Sequence, residues 1–329
     1  MEVTALGWTL TIAVIVALLA LDLTLGVLRP HAVGFREAAV WSVFYIAVAV
    51  AFGFVLAHVS GWEYGTQYFA GYLVEKSLSV DNLFVFVIIM GTFAVPSKYQ
   101  QEVLTFGIVI ALLLRVAFIA LGATLLSLFS FMFLIFGLVL IWTAVQLFRH
   151  RSEERKVDEN FLVRAAKRVL PVTDDYVGGK MVARVGGRRV VTPLLIALIA
   201  IGSTDVLFAL DSIPAVFGVT DEAYLVFVAN AFALLGLRAL FFLVKGLLDR
   251  LVYLSAGLSV ILAFIGVKLA LHWAHSDLSH GVPEIGTPLS LVVIVAVLAV
   301  TTVASLLKSQ RKGSDRKPVR ASDGERQPR

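Results

Sequence analysis

The chain contains no cysteine, which excludes disulfide frameworks, thiolate metal sites and thiol redox centres. Methionine is scarce, at four residues, so the other soft ligand is nearly absent and any metal would meet oxygen or imidazole donors. Charge is scarce too. Charged residues are 16% of the 329, against about 25% in an average soluble domain. No glycine-rich nucleotide-binding loop, nucleophile elbow or metalloprotease helix occurs, so neither ATP drive nor hydrolysis is indicated.

What is abundant is apolar sequence. The composition is 59% hydrophobic with a mean hydropathy of +0.90, the profile of a membrane protein. At about 20 residues per span, the length allows roughly nine or ten spans. Apolar runs occur near 4–27, 38–59, 70–93, 101–122, 124–148, 193–217, 222–245, 250–272 and 288–307, bounded by turn or charged residues such as Leu28-Arg29-Pro30 and Gly286-Thr287-Pro288. The expected fold is therefore all-α, a polytopic bundle of about nine transmembrane helices. The first run lacks a basic flank and is too long for a signal-peptide core, so it reads as a retained span.

The net charge of +5 reports topology, not nucleic-acid binding, because the basic residues sit in loops beside apolar runs. Under a nine-helix count, twenty-four of the twenty-eight Lys and Arg fall on one face, eleven of them in 149–191 and eight from Lys308 onward. The positive-inside rule then expects a bacterial inner-membrane protein with its N-terminus outside and C-terminus in the cytoplasm. The other four, Lys76, Arg115, Arg238 and Lys268, lie within spans.

The inner loop reads as a charged helical extension over Arg149 to Arg168, then a β-hairpin of Met181–Val185 and Arg188–Thr192 turning at Gly186-Gly187. The final residues are rich in Lys, Arg, Ser, Asp and Pro and read as a disordered basic tail. The chain divides into N-terminal helices 1–69, repeat A 70–148, cytoplasmic loop 149–191, repeat B 192–274, outer loop and last helix 275–307, and tail 308–329.

The division into repeats rests on matching motifs. Ser79-Val80-Asp81-Asn82-Leu83-Phe84 in the third run resembles Ser203-Thr204-Asp205-Val206-Leu207-Phe208 in the sixth, and an arginine follows each aspartate thirty-four and thirty-three residues on, at Arg115 and Arg238. Gly137-Leu138 and Gly257-Leu258 extend the parallel. With three spans per copy, the copies (helices 3–5 and 6–8) are inverted, a recurrent transporter plan.

Carboxylates inside spans are costly, roughly +2.5 to +3.5 kcal/mol for Asp at a helix centre, and mark cavities or partners. Asp81 and Asp205 sit at the middles of their runs. Glu75 lies six residues before Asp81 and Asp211 six after Asp205, about 9 Å along the helix and, under the inverted topology, both toward the outside. The expectation is a midplane layer and an outer layer of acids. Pro214 frees the carbonyl of Leu210 beside Asp211, and local unwinding there is expected. Ser77, Ser79, Asn82, Ser203, Thr204 and Ser212 add oxygens. Such a set suits a hard divalent cation, Mn²⁺, Ca²⁺ or Mg²⁺, with Glu75, Asp81, Asn82, Asp205 and Asp211 as metal-site residues and Ser79, Thr204, Ser212, Arg115 and Arg238 in support. The competing reading pairs the acids with Lys76, Arg115 and Arg238. His272, His275, Asp277, His280 and Glu284 form a weaker candidate metal cluster in the outer loop. Asp22 and Asn230 read as structural.

Through these residues the sequence resembles the TerC family of integral membrane proteins. The resemblance lies in Glu75-Lys-Ser-Leu-Ser-Val-Asp-Asn-Leu-Phe-Val-Phe86, Val172-Thr-Asp-Asp-Tyr-Val-Gly-Gly179, Thr192-Pro-Leu-Leu and Ala209-Leu-Asp-Ser-Ile-Pro-Ala-Val-Phe-Gly-Val-Thr220, and covers roughly 35–310. It implies a member of the LysE-like transporter group. That family is named for tellurium resistance, and its bacterial members include manganese exporters, among them a pH- and manganese-responsive one. It also implies Glu75, Asp81, Asp205 and Asp211 as translocation residues. The expectation is a non-enzymatic secondary exporter of Mn²⁺ in the lipid bilayer, with protons as the candidate exchange ion, no bound cofactor and no nucleic-acid partner. A non-transporting scaffold of a metal or tellurite stress complex and a Ca²⁺ or cation–proton antiporter are the alternatives.

Overall fold

The computed structural model describes residues 3–28, 34–149, 168, 171–173, 176–177, 180–185, 188–245, 253–279 and 281–314. Five helices come first: α1 (Ala5–Leu28), α2 (Phe35–Ser60), α3 (Trp62–Thr92), α4 (Ser97–Leu128) and α5 (Met132–Arg149). A hairpin, β1 (Val182–Val185) and β2 (Arg188–Val191), precedes α6 (Pro193–Phe217), α7 (Ala223–Leu234), α8 (Leu237–Lys245), α9 (Leu254–Trp273) and α10 (Thr287–Ser314). One π-helical turn, Ala274–Leu278, prolongs α9.

Seven of these helices are long and apolar enough to cross a membrane, and α7 with α8 makes an eighth if that bent pair is one span. The chain is thus a multi-pass, all-α membrane protein. The expected count of nine differs from this by α3, whose apolar run is interrupted by Glu75, Lys76 and Asp81. Yet α3 is the hub of the bundle, packing against α2, α6, α7, α8, α9 and α10. Large apolar side chains point outward instead on the flanking helices, among them Leu113, Leu121, Trp142, Val292 and Val300. This is the arrangement for lipid contact: an apolar exterior and a polar centre.

Several boundaries moved. α3 begins at Trp62, not near 70, because Glu63, Tyr64, Thr66 and Gln67 add helix that carries no hydropathy signal. The α4–α5 turn falls at Phe129–Phe131, not at 123, and α10 continues to Ser314. α6 runs unbroken through Pro214, so the unwinding expected there is absent. The broken helix is the one spanning 223–245, which bends by 49° at Leu235-Gly236. Gly236 has φ +74, and an added Cβ there would lie 2.5 Å from the ring of Tyr45, so both conformation and packing require glycine. The break leaves the last carbonyls of α7 without helical donors, and Lys76 Nζ caps one of them, Ala233 O, at 3.0 Å.

Direction follows from the packing. Gly71 on α3 faces Val216 on α6, while Leu83, Phe86 and Ile89 cluster with Leu194, Ile196 and Ile201, so α3 and α6 run antiparallel. α5 and α9 do likewise, crossing where Gly137 and Gly266 each lie so close that a Cβ would stand 2.7 Å from the other's carbonyl oxygen. Gly257, the expected counterpart of Gly137, instead packs on Thr301 of α10.

The hairpin is as expected, pairing Val182 with Val191 and Val185 with Arg188. Val172 adds a parallel bridge to Val191, and Tyr176 donates to the carbonyl of Phe93 at 2.5 Å, tying this segment to the end of α3. The expected helical extension after Arg149 (150–167) and the tail beyond Ser314 lie outside the described residues.

Candidate cation site between two antiparallel helices

The packing of Gly71 on Val216 sets Asp81 level with Asp205 and Glu75 level with Asp211, so Glu75 and Asp205 are offset by about 9 Å along the bundle. Arg115 of α4 joins them. Its Nη1 pairs with Glu75 Oε1, and its Nη2 lies 3.4 Å from Asp205 Oδ1. Nη1 also donates to Asn230 Oδ1 of α7 at 2.8 Å, and Asn230 is fixed by donating to Val226 O at 3.1 Å. The guanidinium therefore links α4 to α3, α6 and α7.

The triad is removed from solvent, with Glu75 0%, Arg115 1% and Asp205 2% exposed. It is also incompletely bonded. Among the described residues Glu75 Oε2, Asp205 Oδ2 and Arg115 Nε are buried with no hydrogen-bond partner, as is the neighbouring Ser212 Oγ. Orphaned buried polar atoms each cost about 1–3 kcal/mol, so such clustering calls for an explanation such as an ion, water or functional use.

The other expected site residues are distributed around this triad. Asp81 accepts from Ser255 Oγ of α9 at 3.2 Å, and Asn82 is buried next to it. Ser79 donates to Glu75 at 3.5 Å, while Ser77, Ser203 and Thr204 bond back to carbonyls of their own helices. Asp211 is half-buried and within electrostatic reach of Arg115 and Asp81. The structure thus couples Glu75 to Asp205 across the two expected layers. No three carboxylate or imidazole side chains converge as a metal-holding group among the described residues.

Arg238, expected to support the site, is engaged elsewhere. Its Nε and Nη2 donate to Asp22 Oδ1 of α1 at 3.4 and 3.1 Å, and its Nη1 donates to Gln101 at 3.2 Å. Tyr45 donates to the same Asp22 oxygen at 3.2 Å. The structural roles read for Asp22 and Asn230 are what the packing gives, although Asn230 also holds Arg115. Ser255 and the break at Gly236 escaped the sequence reading. The lone glycine in Ala233-Leu-Leu-Gly-Leu-Arg238 was the available signal for the break.

On the opposite side of Pro214, a cavity of about 800 Å³ is lined by Glu63, Asp221, Glu222, Lys268, His272 and Glu284 among others. Burial pushes the Asp221 carboxyl up, and the hydrogen bond from His272, at 2.8 Å, holds Glu284 below its ordinary value. Among the described residues the outer histidines and acids form no three-residue metal-holding group: His275 bonds Val282 O and Asp277 accepts from Ser130, while His280 lies outside the described residues.

These features define a polytopic α-helical membrane protein with a charged, buried centre. The chain belongs to the family described as Integral membrane protein TerC family, which matches residues 60–313. It is 45% identical over 327 residues to an uncharacterized membrane protein of Mycobacterium tuberculosis, covering 96% of this chain and 82% of that one. It is 35% identical over 322 residues to the "Putative membrane-bound redox modulator Alx" of Photorhabdus laumondii (94% and 97% covered). It is 42% identical over 226 residues to the "Thylakoid membrane protein TERC, chloroplastic" of Arabidopsis thaliana (69% and 59% covered). No solved structure matches.

Proposed function

We propose that the protein is a secondary transporter that exports a divalent metal cation, Mn²⁺ foremost, through the Glu75–Asp205 centre, with protons as the exchange ion. The observation that carries this reading is the set of orphaned buried oxygens on two carboxylates at the middles of antiparallel helices. In the central parts of α3, α4 and α6, four acids (Glu75, Asp81, Asp205, Asp211) stand against Arg115 and Lys76, leaving two formal negative charges for a divalent ion. Oxygen donors without sulfur suit a hard cation. Carboxylates that release a metal in a low-dielectric site take up protons, which couples the two flows.

Counting α3 and the bent pair as spans gives nine, and the distribution of Lys and Arg then supports an inner-membrane protein with its N-terminus outside. The antiparallel pairings of α3 with α6 and of α5 with α9 support an inverted repeat. A redox role, as in the name of the Photorhabdus relative, would have to proceed without thiols, since the chain has no cysteine.

The ion pairs of Arg115 favour a second reading, a non-transporting scaffold in which the acids serve only the fold. Metal-by-metal uptake into everted vesicles separates the two. Transport gives Mn²⁺ uptake that vanishes in Asp205→Asn at equal protein level; a scaffold gives no uptake above empty vesicles for any metal.

A further inference from the structure

We propose that Arg115 is a tethered counter-cation that occupies the metal's place in the empty site and must yield it when the ion enters. The inference rests on the transport reading and deepens it, by assigning a specificity-determining role to a residue that is not itself a ligand.

Arg115 takes one oxygen from each acid and leaves the other oxygen of each buried and unsatisfied. Its own Nε is unsatisfied too. One guanidinium cannot balance two carboxylates, and its planar fork cannot wrap both. A divalent ion balances both charges and is free to draw on all four oxygens. The exchange needs somewhere for the guanidinium to rest, and the structure provides it. Asn230 Oδ1 accepts from Nη1 at 2.8 Å, is neutral, and is anchored on α7 independently of the acids.

Arg238 shows what a purely structural buried arginine looks like in the same bundle. All three of its nitrogens are bonded, and two of them meet a single carboxylate. No oxygen of Asp22 is among the orphaned buried atoms.

A tethered competitor weakens resting affinity and helps expel the ion, so its removal should tighten binding while slowing turnover. The test uses the full-length protein in detergent for Mn²⁺ titration calorimetry and in proteoliposomes for Mn²⁺ flux, comparing wild type, Arg115→Gln, Arg115→Lys and Arg238→Gln. Expected is an Mn²⁺ Kd about tenfold lower in Arg115→Gln, corresponding to about 1.4 kcal/mol. Its flux should nonetheless fall, with Arg115→Lys intermediate and the Kd of Arg238→Gln unchanged.

If wild type binds and transports but Arg115→Gln binds no tighter, the inference fails while the transport reading stands. If wild type neither binds nor transports, both fail. Should Arg115→Gln not fold, Arg115→Lys decides: it keeps the charge but loses the fork. A Kd equal to or above that of wild type would overturn the proposal.

Discussion

Two arginines are buried among the described residues, each following a motif aspartate by about the same distance, and they meet opposite fates. Arg238 closes a network with Asp22, Gln101 and Tyr45 that binds α1 and α2 to α8 and α4, using every guanidinium nitrogen. Arg115 bridges α3, α6 and α7 and leaves orphaned atoms on itself and on both acids. The residue type, its burial and its place in the motif are alike. What differs is satisfaction, and satisfaction separates a fastening from a site. A closed network has no use for another ion, whereas an open one in a low-dielectric interior strongly favours whatever completes it. Asp22 lies outside the family-matched stretch 60–313, whereas Glu75, Arg115 and Asp205 all lie within it.

The largest expected effect is functional. Asp205→Asn removes one of the two central charges without changing side-chain volume, and metal uptake should drop at least tenfold, to the background of empty vesicles, at equal protein level. Next is a stability effect at the other arginine. Asp22→Ala leaves a buried guanidinium unpaired and should cost about 3–5 kcal/mol. The double variant Asp22→Ala/Arg238→Met should recover most of that loss, read as melting temperature in detergent. If Asp22→Ala melted like wild type while Arg115→Gln collapsed the fold, the division between fastening and site would be reversed.

A smaller effect is expected at the helix break. Gly236→Ala forces a Cβ into left-handed backbone against the Tyr45 ring and should cost about 1–3 kcal/mol. Smallest is Glu284→Gln in the outer loop, within about 0.5 kcal/mol because the pair is half exposed. Its sign with pH is fixed. The folded-state pKa of Glu284 lies below its ordinary value, so its stabilising contribution is present above that value and lost as pH falls through the folded-state pKa. A pH series on wild type and Glu284→Gln should converge at the acid end.

The periodicities of the chain made much of this fold legible. The apolar runs located the helices, and valines on either side of Gly186-Gly187 gave the hairpin and its register. The acids and Arg115 stood out because charge inside an apolar run is rare. Three things were not legible, each for a physical reason. The first turns of α3 are too polar to register as a span, so its start at Trp62 is not marked by hydropathy. The break at Gly236 depends on Tyr45 and Lys76, which arrive from α2 and α3. The partners of the two arginines are tertiary choices: Arg238 could take Asp22 only because α1 folds back beside α4 and α7, which no local pattern encodes.

The central claim, that Glu75 and Asp205 together hold the cargo ion, is tested most directly by Mn²⁺ titration of the purified full-length protein alongside Glu75→Gln and Asp205→Asn. The expected result is one Mn²⁺ per chain in wild type, lost in both variants while their helical content and melting remain cooperative. Binding that survives both substitutions would place the ion elsewhere and contradict the claim.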